Sequence, residues 1–204
     1  MMGQWSGQTQ IPASAPITLD EAKAIAQRYL VSRGDPNLAI KEIMEFQYNF
    51  YVMFYEKDSG LGAFEMLIWK QAPSSEMMNG NMGMGGGMMS GGIVAGEIVP
   101  EPGPNMMWNT KYSMMQGMMG RRWQAGVSGQ MQVSEQDAKS IAETYLLRNF
   151  PGSHVEGITH FYGYYTIDFQ KDGKIVGMLS VNGYSGEVWY HSWHGAFIQE
   201  VELG

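Results

Sequence analysis

The chain has no cysteine. That absence excludes disulfides, thiolate metal sites, covalently attached c-type haem and cysteine nucleophiles. It does not fix a compartment, since cysteine-free proteins occur in oxidising and reducing settings alike. Basic charge is scarce: 13 Lys and Arg stand against 20 Asp and Glu, for a net charge of −7. No segment carries the basic stripe that a phosphate backbone requires, so nucleic acid is not an expected partner. An acidic surface of this kind mainly keeps a protein soluble. Long apolar runs are missing as well, and none approaches the ~20 residues of a membrane helix. The opening Met1-Met2-Gly3-Gln4-Trp5 has neither a basic nor an apolar leader region. A cytosolic protein, or numbering from a processed terminus, is therefore expected.

What the chain does have is repetition. Ile17-Thr18-Leu19-Asp20-Glu21-Ala22-Lys23-Ala24-Ile25-Ala26-Gln27-Arg28-Tyr29-Leu30 returns as Val133-Ser134-Glu135-Gln136-Asp137-Ala138-Lys139-Ser140-Ile141-Ala142-Glu143-Thr144-Tyr145-Leu146. Each copy opens with a capping box, Thr18 with Glu21 and Ser134 with Asp137. Each continues in a helical apolar stripe: Ala22, Ile25, Ala26, Tyr29, Leu30, and then Ala138, Ile141, Ala142, Tyr145, Leu146. Gly34-Asp35-Pro36 stops the first and Phe150-Pro151-Gly152 the second. Tyr29 and Tyr145 are expected at equivalent buried sites.

Strand-like text follows each helix. Leu38–Gln47, Asn49–Tyr55 and Leu61–Lys70 in the first copy answer His154–Gly163, Tyr164–Gln170 and Ile175–Val181 in the second. The second copy closes its last hairpin with Asn182–Gly186 before Glu187–His191. The first inserts Gln71–Gly92 and resumes at Ile93–Val99, so that Gly96-Glu97-Ile98 matches Gly186-Glu187-Val188. The expected organisation is an extended arm (1–16), a first repeat (17–99) with a Met/Gly-rich hairpin insertion (71–92), a Met-rich linker (100–132) with a short helix near Lys111–Met119, and a second repeat (133–204). The fold class is α+β, with one helix on an antiparallel sheet in each repeat.

An Ala-x-x-Ile-Ala helix, a Pro-Gly stop and strands ending in Val-Asn-Gly-Tyr-Ser-Gly-Glu-Val resemble the PepSY domain family. The second repeat is the clearer match, through Ser134, Ala138, Ile141, Ala142, Pro151-Gly152, Tyr164-Tyr165, Asp172-Gly173 and Gly186-Glu187-Val188. The first repeat diverges where the insertion replaces the diagnostic turn. The resemblance implies a helix packed on an antiparallel sheet, a location in the periplasm, cell envelope or extracellular space, no enzymatic activity and no catalytic residues. It also brings in a protease-inhibitory module as a distant alternative, disfavoured because no protease domain shares the chain.

Among residues that bear chemistry, the four histidines come first: His154, His160, His191 and His194. His191-x-x-His194 has a spacing known from zinc sites but needs further ligands. On a strand, residues three apart face opposite sides, so the pair converges only if Ser192-Trp193 turns. The expected arrangement is an aromatic–histidine edge packed over the sheet end. Asp168, placed opposite Phe54 of the first repeat, is expected to face water. No glycine fingerprint, nucleophile elbow or paired-carboxylate motif is present, so neither catalysis nor a resident cofactor is expected.

Methionine is the outstanding residue: 13 of the 19 lie between Met77 and Met131. Two readings compete. Met82, Met84, Met88, Met115 and Met118, with His191 and His194, form a candidate Cu(I) or Ag(I) set, because clustered thioethers suit soft cations. Hard or borderline cations such as Zn(II) would find too few nitrogen and oxygen ligands. Alternatively, Trp5, Met77, Met78, Met82, Met84, Met88, Met89, Met106, Met107, Trp108, Met114, Met115, Met118 and Met119 form an apolar contact surface, methionine being flexible and polarizable. An exposed apolar tract of this size is one that soluble monomers avoid. The favoured reading is a structural, self-associating protein whose partner is another copy of itself. Two unequal repeats present non-identical ends, and head-to-tail contacts between such ends form a filament when the rotation does not close.

Overall fold

The computed structural model describes residues 16–71, 94–113 and 130–204. Along the chain run α1 (Leu19–Arg33), β1 (Leu38–Phe46), β2 (Asn49–Glu56), β3 (Gly62–Trp69), β4 (Ile98–Pro100), α2 (Pro104–Met107), α3 (Glu135–Asn149), β5 (His154–Phe161), β6 (Tyr164–Lys171), β7 (Lys174–Asn182), β8 (Val188–Tyr190) and β9 (Phe197–Glu202). No helix among the described residues is long and apolar enough to cross a membrane.

Both long helices start where their capping boxes put them. Thr18 accepts from the Glu21 amide while Glu21 reaches back to the Thr18 amide, and Ser134 and Asp137 do the same for α3. Gly34 ends α1 in the left-handed region at φ 66°, a conformation an L side chain resists. The two helices dock alike: Ala22 and Ala26 of α1, and Ala138 and Ala142 of α3, are completely buried. Alanines at these positions let the helix backbone lie close on the sheet. Tyr29 and Tyr145 hold equivalent positions but are only half-buried. Each lies at the rim of its helix–sheet interface, Tyr29 against Phe54 and Phe64, Tyr145 against Phe150.

The hairpin after the insertion also repeats. Gly96 and Gly186 have φ of 78° and 72°, and a Cβ added to either would meet an isoleucine Cδ1 at 3.1 Å: Ile17 in one case, Ile141 in the other. Ile25 and Val133 complete the two sets. The same corner is built twice from matching residues.

The repeats do not form two separate sheets. They share one of nine strands, ordered β8-β7-β6-β5-β3-β2-β1-β9, with β4 pairing β3 off this path. The joint is parallel and narrow, Gly62 opposite Phe161. Gly62 has no substitute there, because a Cβ would lie 2.5 Å from the Phe161 ring. Strand β9, which was not expected from sequence, crosses from the second repeat to pair with β1 of the first.

Strand alternation then sorts the side chains. One face of each half packs under its helix: Ile43, Phe50, Val52, Phe54 and Ile68 under α1, and Tyr165, Ile167, Phe169, Leu179 and Val181 under α3. The opposite faces meet in a shared third core containing Met44, Tyr51, Met53, Leu67, Trp69, Phe161, Tyr164, Met178 and Trp193. Residues 100–113, expected as linker, are built into this body, with Glu101, Asn105 and Asn109 buried. Lys111–Ser113 is not helical; the turn of helix comes earlier, at Pro104–Met107. The rest of the helix expected near Lys111–Met119 lies outside the described residues.

Candidate functional site

The shared core holds a polar centre. Glu65 on β3, Tyr51 on β2, Tyr164 and Thr166 on β6 and Ser180 on β7 all point from the helix-free faces into it. Glu65 accepts from the Tyr51 hydroxyl at 2.7 Å, the Tyr164 hydroxyl at 2.6 Å and the Thr166 hydroxyl at 2.7 Å. Beside it stands Glu101, just beyond β4, with no solvent exposure. Its place is fixed by the backbone: the Glu101 amide donates to the Glu65 carbonyl at 3.0 Å, and Asn105 bridges both residues.

His191 and His194 come from the segment between β8 and β9. Ser192-Trp193 turns, so the two rings converge instead of lying on opposite sides. Asn49 holds the turn, donating from Nδ2 to the Trp193 carbonyl at 3.0 Å. His191 Nδ1 lies 3.2 Å and His194 Nε2 3.0 Å from the same Glu101 oxygen, and the Trp193 indole N–H donates to that oxygen at 3.1 Å. Both histidines are 2% exposed, stacked respectively on Trp193 and Phe46. The pair therefore sits inside the molecule, correcting the expectation of a packed outer edge. Glu101, His191 and His194 offer three ligand atoms within 4.8 Å of one another.

The electrostatics follow from burial and these neighbours. Burial opposes a charge on Glu101, but the positive His191 and the close ring contacts outweigh it and hold the carboxyl down to about 2. His191 is raised in spite of burial, through Glu101 first. His194 is lowered, chiefly by burial. Burial and the Glu101 charge push Glu65 up to about 8 against the pull of His191 and its hydroxyl donors.

Asp168 does not face water. Its Oδ1 is buried without a hydrogen-bond partner, and burial followed by the Glu200 charge pushes it up to about 7. The structural counterpart of Phe54 is Phe169, each fully buried under its own helix, whereas Asp168 matches Met53 on the opposite face. A one-residue slip in strand alignment reverses the face.

Of the methionine and tryptophan positions singled out from sequence, three fall within the described residues. Trp108 is partly buried, packed against the shared core edge-on to Trp189 at 6.0 Å with its carbonyl against Gly163. Met106 lines a surface cavity of about 80 Å³ with Tyr29, Arg33, Phe64, Met66 and Tyr112. Met107 is 51% exposed. Trp5, Met77, Met78, Met82, Met84, Met88, Met89, Met114, Met115, Met118 and Met119 lie outside the described residues. Sequence reasoning missed Glu65 and Glu101. Glu65 carried a signal: it interrupts an otherwise apolar strand, Gly62-Ala63-Phe64-Glu65-Met66-Leu67-Ile68-Trp69. Glu101, in a Pro- and Gly-rich stretch, carried none.

No family model matches the chain, and no curated protein sequence matches it. Among solved structures it is similar to the C-terminal domain of YpeB from Bacillus megaterium, at 10% identity and a TM-score of 0.30. The likeness covers 88% of this chain and 64% of that one. No activity, ligand or partner follows from it.

Proposed function

We propose that this chain is a non-enzymatic interaction protein of the cell envelope that self-associates head to tail through its arm, its Met/Gly-rich insertion and its linker. The observation that carries this reading is where those segments are rooted. The Ile17 amide donates to the Lys70 carbonyl at 3.4 Å and the Gly96 amide to the Trp69 carbonyl at 2.9 Å. The described residues that flank the arm and the insertion thus lie together, at the close of β3. Both ends of residues 114–129 leave near its start: Thr110 donates to the Tyr162 carbonyl, Gln132 to Gly183, and Gly183 to Gly163, all at 2.9 Å. Seven residues of strand separate the two roots, about 20 Å.

Unlike ends suit heterologous contacts, which repeat without closing unless a rotation brings them round. The arm, residues 1–16, carries no charged side chain, and residues 71–92 carry only Glu76. The arm meets no charge repulsion from an acidic neighbour, and the insertion only that of Glu76. Strand β9 leaves an outer edge on which an extended segment of another copy can add. The sealing of Glu101, His191 and His194 from solvent also favours a non-enzymatic role, since a substrate has to reach the reacting groups.

Light scattering on the full chain over a concentration series tests the reading. Mass should grow with concentration, and deletion of Gln71–Gly92 should return a monomer with unchanged far-UV circular dichroism. A full-length chain that stays monomeric at high concentration would overturn it.

A further inference from the structure

We infer that Glu101, His191 and His194 form a closed structural binding site for a borderline divalent transition metal, Zn(II) by preference. Asn49 Nδ2 donates to the Trp193 carbonyl, so Asn49 Oδ1 is the atom facing His194, 2.8 Å from Nδ1. A carboxamide oxygen only accepts, so His194 carries its proton on Nδ1. In neutral His194 the lone pair is then on Nε2, turned toward a carboxylate oxygen 3.0 Å away.

His191 repeats the arrangement through a different relay. Thr166 Oγ, within reach of Glu65, lies 3.2 Å from the Ser180 hydroxyl. Ser180 Oγ in turn hydrogen-bonds His191 Nε2 at 2.9 Å. His191 Nδ1, the nitrogen away from Ser180, faces Glu101 at 3.2 Å. Two imidazole nitrogens and a carboxylate oxygen thus converge in a dry interior. A cation among them adds an attraction to each donor that outweighs their mutual repulsion.

The polar atoms without partners point to the same place. Among the described residues, five buried side-chain nitrogen and oxygen atoms have no hydrogen-bond partner, and three of them are Glu101 Oε2, His191 Nδ1 and His194 Nε2. Burying such groups unpaired is costly, and a coordinated metal satisfies all three together. Asn49 and Ser180 orient the rings by binding the far nitrogens, which is the outer-shell support that metal-ligating histidines use. Two imidazoles and a carboxylate suit borderline metals, whereas hard cations prefer all-oxygen cages and soft ones thiolates or thioethers. With both carboxylate oxygens, the set supplies four donor atoms from three residues. The site joins the segment after β4 to the β8–β9 segment, and so clamps together the two repeats and the chain between them.

The test refolds the full chain with and without equimolar Zn(II) or Co(II), so that slow entry into a buried site is not limiting. Expected are one tightly held metal per chain, a metal-dependent rise in thermal midpoint, and the visible ligand-field bands of low-coordinate Co(II). Glu101→Gln and His194→Gln should weaken binding at least ~100-fold, and Ser180→Ala, which removes only the orienting hydroxyl, by ~10–100-fold. Ser180→Ala keeps the test decisive should a ligand variant fail to fold. Replacing Met82, Met84, Met88, Met115 and Met118 with leucine should leave Zn(II) binding unchanged, which separates this site from any thioether site. Failure to take up Zn(II) on refolding overturns the inference. So does binding that survives Glu101→Gln and Ser180→Ala, or an imidazole nitrogen NMR spectrum showing His194 doubly protonated near neutral pH with metal supplied.

Discussion

Glu56 shows how one residue fixes a boundary. It ends β2 almost fully buried, and takes hydrogen bonds from Ser59, Tyr112 and Tyr162 and an ion pair with Lys111 at 2.5 Å. Burial resists its charge, but those donors prevail and hold its carboxyl down to about 2 from an ordinary 4.5. A depressed folded value stabilises the fold above the unfolded value, and that stabilisation disappears as pH falls from about 4.5 toward 2. Glu56→Gln should therefore cost ~1–3 kcal/mol at pH 7 and almost nothing at pH 2, read by urea denaturation at both. Glu42 has the opposite sign. Burial, then the charges of Asp168 and Glu200, push it up to about 9. A raised value favours the fold at low pH, and the contribution is lost as pH rises from 4.5 through about 9. Glu42→Gln should raise the thermal midpoint at pH 8 and leave it unchanged at pH 4; equal shifts at both would show that Glu42 is not held protonated by the fold.

At the scale of elements, strand β9 does more than its six residues suggest. Without it β1 would be the edge of the sheet, and Ile43, Met44 and Phe46, all at most 1% exposed, lie on that strand. Stopping the chain after Gly195 should expose the β1 amides to hydrogen exchange and make the protein aggregate through that edge. Unchanged protection of β1 in the shortened chain would show that β9 is a passive addition. Strand β9 also marks the limit of what was legible. Phe197-Ile198-Gln199-Glu200-Val201-Glu202 is short, mixed and lacks a repeat partner, and its pairing strand lies some 150 residues earlier. Local pattern signals helices and hairpins well, because capping boxes, alternation and turn residues act over a few positions. Hence α1, α3 and the three long strands of each repeat were readable, and so was the Gly96–Gly186 equivalence. The centre was not. His191 and His194 were visible as a pair, but their third member, Glu101, is brought in by β4 pairing on β3 and by Asn105, and neither contact leaves a periodic trace.

The whole molecule differs most from its sequence in its unity. A duplication suggests two units that fold alone, each with its own helix-covered core. Both such cores exist, yet each half-sheet has a second apolar face, and among the described residues those faces are covered by each other and by the segments around Val99 and Trp193. Phe161, Tyr164 and Met178 from the second repeat meet Met44, Tyr51, Met53, Leu67 and Trp69 from the first, all at 3% exposure or less. The parallel joint at Gly62, the crossing of β9 and the burial of Glu101, Asn105 and Asn109 bind the halves further. The described body should therefore unfold in one transition. Denaturant titration followed by far-UV circular dichroism, by tryptophan fluorescence and by hydrogen exchange of β2 and β6 amides should give coincident midpoints. Residues 133–204 produced alone should expose Phe161, Tyr164 and Met178, bind hydrophobic dyes and lack a cooperative melt. Two separated transitions, or a second repeat that folds cooperatively on its own, would mean that the shared core forms only after each half is already stable.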